Sequence, residues 1–212
     1  MAVQDLILAI RDGLGWRWDA LSRRFENQAS PEWARHVMDQ ETARLVGDLP
    51  HGRMDALEIS GEKWRNFGFR SYQTLGFDEY DVCERPYASS SYDLVIVEQV
   101  LEHVLWPYRA VRHLFKMLRP SGFLLVTTPF LVKIHGAPID CSRWTELGMR
   151  HLLAEGGFPL DRMTTGSWGN RMCVRRGLQW SVRLIPWYHT LRNEPTYPVV
   201  VWALAQKDAS SD

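Results

Sequence analysis

The ten residues "DALEISGEKW", Asp55 to Trp64, decide how this 212-residue chain folds. An apolar run broken only by Glu58 leads into Ser60 and Gly61, then into Glu62 and Lys63. That is the pattern of a buried strand that ends in a glycine turn and runs on toward a helix start. At such a turn α/β sheets receive the phosphate or sulfonium end of a nucleotide cofactor. One glycine stands here where two or three are usual.

Upstream, residues 3–48 read as helices without strands. "VQDLILAIRDGLGWRWDALSRRF" (3–25) places apolar residues at helical spacing, and "SPEWARHVMDQETARLV" (30–46) opens with Ser30 as N-cap and Pro31 at the first helical position. Downstream, short apolar runs alternate with helical segments. "DALEIS", "FRSYQTL", "YDLVIVEQ" and "GFLLVTTPF" read as strands, and "WPYRAVRHLFKMLRP" (106–120) as an amphipathic helix ended by Pro120 and Gly122. Strand, helix, strand order dictates a parallel sheet. "GEKWRNFGF" (61–69), between the first two strands, has room for a single turn. The last third holds a helix, "SRWTELGMRHLLAEGG", that stops at a glycine pair, then a strand at 159–168 and an Arg- and Trp-rich stretch at 169–192. "TYPVVVWALAQK" is the final strand, closing the sheet as a late antiparallel hairpin.

The chain is 45% hydrophobic, and its 25 basic and 25 acidic side chains cancel, so composition gives no reason for wholesale attraction to nucleic acid or an anionic membrane. Cys83, Cys141 and Cys173 are odd in number and lack C-x-x-C spacing, which argues against a disulfide framework or structural zinc and fits a reducing cytoplasm. The opening residues have neither the charge order of a signal peptide nor the length of a membrane span. Arg17, Arg23 and Arg24 near Trp16 and Trp18, and "RMCVRRGLQWSVR" (171–183), mix basic and stacking groups, but solvated helix faces account for them better than RNA binding.

Open parallel sheets bind ligands beyond the carboxyl ends of their strands, where strand order reverses. Four loops can converge there: Glu58 to Glu62, Gln73 with Thr74, Tyr80 to Val82, and Glu98 to His103. Past the strand "GFLLVTTPF", "TTPFLVKIHGAPIDCSRWTELG" (127–148) leaves the same end of the sheet as a loop. It gathers His135, Asp140, Arg143 and Trp144 within ten residues. A structural account stands beside the functional one: Asp140 or Ser142 capping the next helix, Trp144 packing on the core, Glu62 in a first helical turn, and Glu102 structural or solvated.

"ALEISG", "YDV", "SYDLVIVEQVLEHV" and "LRPSGFLLVTTPF" together resemble, in order and spacing, class I S-adenosylmethionine-dependent methyltransferases over roughly residues 50–160. The resemblance implies a Rossmann-like α/β fold: a mostly parallel, seven-stranded sheet with helices on both faces. It divides the chain into an N-terminal helical extension, residues 1–50, serving as lid or dimer contact, and a catalytic domain, residues 51–208. By the same resemblance, Glu58, Ile59, Ser60 and Gly61 hold the amino acid part of S-adenosylmethionine, and Asp81 with Val82 lies beside the adenine. Glu98 and Gln99 flank the methionine moiety, and the product is S-adenosylhomocysteine. Ser60 and Glu62 occupy positions where the family carries glycine. No acidic match exists for the ribose-gripping residue after the second strand, and Gln73 is the nearest polar candidate.

A sulfonium methyl needs placement rather than activation, so the protein's task is alignment and, for a hydroxyl acceptor, proton removal. His135 is the first choice of base, Asp140 orients it or binds a hydroxyl, and His103 is the reserve. Arg143 and Trp144 would contact the acceptor. The loop resembles those of bacterial glycan methyltransferases, including enzymes acting on mannose-type sugars, which implies O-methylation of a carbohydrate. Aromatic or amine natural products suit the same residues, and a non-catalytic cofactor-binding interaction protein is the reading from another class. The sequence leaves any metal requirement open.

Overall fold

The structure is a computed structural model that describes residues 29–210 apart from 77, 137 and 179–181. The first expected helix, and with it Trp16, Arg17, Trp18, Arg23 and Arg24, lies outside the described residues. Four helices, α1 (Trp33–Gly47), α2 (Pro107–Met117), α3 (Glu146–Glu155) and α4 (Arg171–Gly177), accompany six strands among those residues. The strands are β1 (Asp55–Ile59), β2 (Ser71–Leu75), β3 (Tyr92–Glu98), β4 (Leu118–Pro129), β5 (Met163–Trp168) and β6 (Val200–Gln206). Their order is β2-β1-β3-β4-β6-β5. The first four are parallel, and β6 runs antiparallel to both β4 and β5. The expected mostly parallel sheet closed by a late antiparallel hairpin is present, with six strands rather than seven.

Both faces are covered, which is why the central strands are almost continuously apolar. Successive side chains point to opposite faces. In β3, Val95 and Val97 join a core with Leu114 of α2 and Leu153 of α3. Leu94 and Ile96 join a second core with Trp33 and Met38 of α1 and Met172 of α4. The described half of the N-terminal helical region is therefore packed on the sheet.

Several boundaries differ from the sequence reading, each for a local reason. The helix α1 starts after Glu32, whose extended backbone forms a bridge with Arg183, so Ser30 and Pro31 lie outside it. Pro120 and Gly122 do not end α2. The helix stops at Met117, and both residues sit inside β4 at a register shift opposite β3, where Pro120 has no ladder bond to lose. Thr145, not Asp140 or Ser142, caps α3 by accepting the Gly148 N–H. The region read as an Arg- and Trp-rich stretch contains α4, capped by Asn170. Its Arg176 is fully buried beside His189 rather than on a solvated face.

Candidate active site

The strand order reverses at β1, which has β2 on one side and β3 on the other. Beyond the paired ends Ile59 and Val97, a cavity of about 320 Å³ opens. Ile59, Ser60, Asp81, Val82, His103 and Trp106 line it. The turns leaving β1 and β3 both pass through left-handed backbone, at Ser60 (φ 63°) and Gln99 (φ 54°). Such conformations cost a non-glycine residue roughly 1–2 kcal/mol. They cluster where the surrounding structure enforces them, often at functional sites. Ser60 thus adopts the backbone of the glycine it replaces.

Glu58 is 2% exposed and turned inward. Its carboxyl group accepts the Trp64 N–H at 3.0 Å, the Lys63 N–H at 3.3 Å and the Tyr72 hydroxyl at 2.6 Å. Burial, and next the Glu58 hydrogen bond, push the Tyr72 phenol well above its usual value. Glu58 therefore ties down the turn that replaces a first helix. A second reason for glycine at 61 is internal to the protein: a Cβ there would stand 2.3 Å from Glu58 Oε1.

Asp81 Oδ1 accepts the Cys83 N–H at 2.7 Å, and Oδ2 has no partner among the described residues. Gln73 lies outside the cavity lining, bonded to the hydroxyls of Tyr87 and Tyr92. Glu79, which the sequence reading passed over, bonds the Gly76 N–H at 2.9 Å just after β2. Glu98 is paired with Lys63 at 2.9 Å, and the same ammonium meets Asp39 of α1 at 2.7 Å. Burial pushes the Glu98 carboxyl up, and Lys63 opposes the shift.

A second, more open cavity of about 690 Å³ adjoins the first. His103 lines both. Arg35 and Asp39 from α1 contribute to its wall, with Gln99, Glu102 and His135. Glu102, expected to be structural or solvated, is fully buried, and neither carboxyl oxygen has a hydrogen-bond partner. Burial pushes its pKa up to about 7. His103 Nδ1 hydrogen-bonds the Ile139 carbonyl, and its Nε2 faces Glu102 Oε1 at 3.7 Å. The His103 and His135 rings meet edge to face at 5.0 Å.

The Asp140 carboxylate accepts the His135 N–H at 2.8 Å, lies 3.4 Å from His135 Nδ1 and is clamped by Arg143. Arg143 holds Asp140 below its ordinary pKa, and burial pushes the His135 imidazole down against the pull of Asp140. Trp144 packs against the core and, like Arg143, lines neither cavity. The structure thus gathers Ser60, Asp81 and Val82 around one hollow and Gln99 and His135 around the other. Gln73 and Trp144 stand apart.

Comparison with known proteins places this geometry. Residues 48–126 match the family model described as a methyltransferase domain. That segment, just over a third of the chain, is similar to methyltransferase domains. A methyltransferase structure from Mesorhizobium loti superposes with a TM-score of 0.54 at 12% identity, covering 79% of this chain and 97% of that one. One from Archaeoglobus fulgidus gives 0.51 at 12%, covering 80% and 94%. The [4+2]-cyclase SpnF also gives 0.51, at 14% identity over 87% and 86%. These similarities establish the fold. No curated protein matches the chain. Among the described residues no helix is long and apolar enough to cross a membrane.

Proposed function

We propose that the protein is an S-adenosylmethionine-dependent methyltransferase that holds the nucleoside of its cofactor in the 320 Å³ cavity and methylates a hydroxyl of a small polar acceptor, a sugar or oligosaccharide, bound in the 690 Å³ cavity. One observation carries this reading: the two hollows share His103 as a wall, so a methyl donor in one would face an acceptor in the other. The donor set fits the cofactor. Asp81 Oδ2 has its lone pairs free for an exocyclic amino group, Ile59 and Val82 supply apolar walls for a base, and the turn at Ser60 brings backbone to the cavity.

When bound, the cofactor supplies an electrophilic methyl on a sulfonium sulfur. The chain's own contribution is alignment and proton removal. His135 faces the acceptor cavity, and its lowered pKa keeps the imidazole neutral and able to accept the hydroxyl proton at neutral pH. Asp140 accepts the His135 backbone N–H, and Arg143 holds the ring by donating to Nδ1 at 3.3 Å. The open, polar wall made by Arg35, Asp39, Gln99 and Arg183 suits a ligand rich in hydroxyl groups.

The test separates the two hollows. His135→Ala should lower turnover on a sugar acceptor by about 100-fold or more while S-adenosylhomocysteine affinity changes little, as expected for a lost general base. Asp81→Ala should weaken S-adenosylhomocysteine and leave kcat at saturating cofactor nearly intact. Full turnover in His135→Ala refutes the base assignment. Mass spectrometry that finds no methylated product across sugars, phenols and amines favours a cofactor-binding interaction protein.

A further inference from the structure

We infer that Glu102, His103 and His135 form a binding site for one divalent first-row transition-metal ion, of the Zn²⁺ or Co²⁺ kind, at the floor of the acceptor cavity. One donor atom from each residue lies within 4.8 Å of the other two. All three residues line the 690 Å³ cavity, which supplies an entry path.

The independent observation is the state of Glu102. Its side chain is wholly buried, and both oxygens are without a hydrogen-bond partner. A buried carboxyl group with nothing to bond is costly, and binding a cation is one of the few ways to satisfy it. His103 is set up to complete the pair. The bond from its Nδ1–H to the Ile139 carbonyl turns Nε2 toward Glu102 Oε1, 3.7 Å away. Metal-bound imidazoles are held by such an outer hydrogen bond. On His135, Nδ1 lies 3.4 Å from Asp140 Oδ2 and accepts a hydrogen bond from the Arg143 guanidinium at 3.3 Å. Arg143 also clamps Asp140, so the ring is held from its Nδ1 side.

Two imidazoles and a carboxylate suit Zn²⁺, Co²⁺ or Fe²⁺ better than Mg²⁺, which prefers oxygen ligands. Three protein ligands leave a coordination position open. Resting on the proposed placement of cofactor and acceptor, that position would take the acceptor hydroxyl, with His135 acting as a metal ligand in place of its role as general base. The ion polarises the O–H bond, and the proton passes to water in the open cavity, because the His135 lone pair is committed to the metal. The oxygen lone pair then forms the bond to the methyl carbon, and the C–S electron pair leaves with the sulfur.

The site is tested without any acceptor. Untagged protein, stripped with EDTA and dialysed, is titrated with Co²⁺ and followed by visible absorption. A saturable spectrum at one ion per chain is expected, displaced by Zn²⁺ and unaffected by excess Mg²⁺. Glu102→Gln, His103→Asn and His135→Ala should each weaken binding by more than the ~10–100-fold that outer ligand changes cost. His103→Asn retains a donor for the Ile139 carbonyl, His135→Ala changes a surface residue, and circular dichroism with S-adenosylhomocysteine binding verifies each fold. No saturable spectrum, or one that survives both His135→Ala and Glu102→Gln, overturns the site. Co²⁺ binding without any methylated product would leave the site standing and remove the sugar reading, and the reverse result would do the opposite.

Discussion

Gly61→Ala separates two reasons for a glycine in the turn after β1. If the glycine admits the cofactor, the variant should fold normally and bind S-adenosylhomocysteine poorly. The structure points to a different outcome, because the new Cβ would stand 2.3 Å from Glu58 Oε1 and 3.2 Å from its carboxyl carbon. Glu58 would have to turn away, abandoning the Trp64 and Lys63 N–H groups and the Tyr72 hydroxyl. Trp64 is 2% exposed, so water cannot replace the lost acceptor at its amide. Each buried polar group left unsatisfied costs ~1–3 kcal/mol, giving about 3 kcal/mol in all after partial relaxation. For a chain of this size that lowers Tm by about 6–12 °C. The assay is thermal and urea denaturation of Gly61→Ala, Glu58→Ala and the double variant. In the Glu58→Ala background the three atoms nearest the new methyl group are gone, so Gly61→Ala should cost under about 1 kcal/mol there, a coupling of about 2 kcal/mol. Equal costs in both backgrounds would refute the reasoning, as would an unchanged Tm accompanied by lost S-adenosylhomocysteine binding.

Two further outcomes test the frame around the site. The Asp55 carboxylate is held well below its ordinary value first by Arg70, then by Ser71, with Arg119 adding to them. A depressed carboxyl pKa gives stability that is present above the unfolded value of 3.8 and lost as pH falls through the folded one. Asp55→Asn should therefore be less stable than the parent at neutral pH, with the two stability curves converging toward about pH 2; parallel curves count against the ion-pair cluster. At Gly169 an added Cβ would lie 2.1 Å from the Tyr197 carbonyl oxygen and 2.5 Å from the Val199 nitrogen. Both are backbone, so Gly169→Ala should cost about 2–4 kcal/mol or prevent folding, and an unshifted denaturation midpoint contradicts that packing.

The alternation in "SYDLVIVEQVLEHV" and the apolar run of "DALEIS" were enough to place β1 and β3, because strand pattern and burial are local properties of the chain. Glycine and proline were read less well. Pro120 and Gly122 look like a helix stop in isolation, yet the partner strand β3 gives them a bulge to occupy. Helix α4 escaped because its seven residues are too short for periodicity to rise above the surrounding arginines and tryptophans.

For the candidate site, the sequence by itself determined which loops leave the carboxyl end of the sheet, so Ser60, Asp81, Val82, Gln99 and His135 could be named from strand order alone. Tertiary structure decided the rest. Glu102 and His103 are adjacent in sequence, but that one carboxyl is buried without a partner and faces two imidazoles follows from the return of the 127–148 loop across the end of β3. Likewise Lys63 finds Asp39 and Glu98 only because α1 packs beside the first turn. Burial and charge pairing depend on which segments meet in space, and that information is spread over the whole chain rather than held in any one stretch of it.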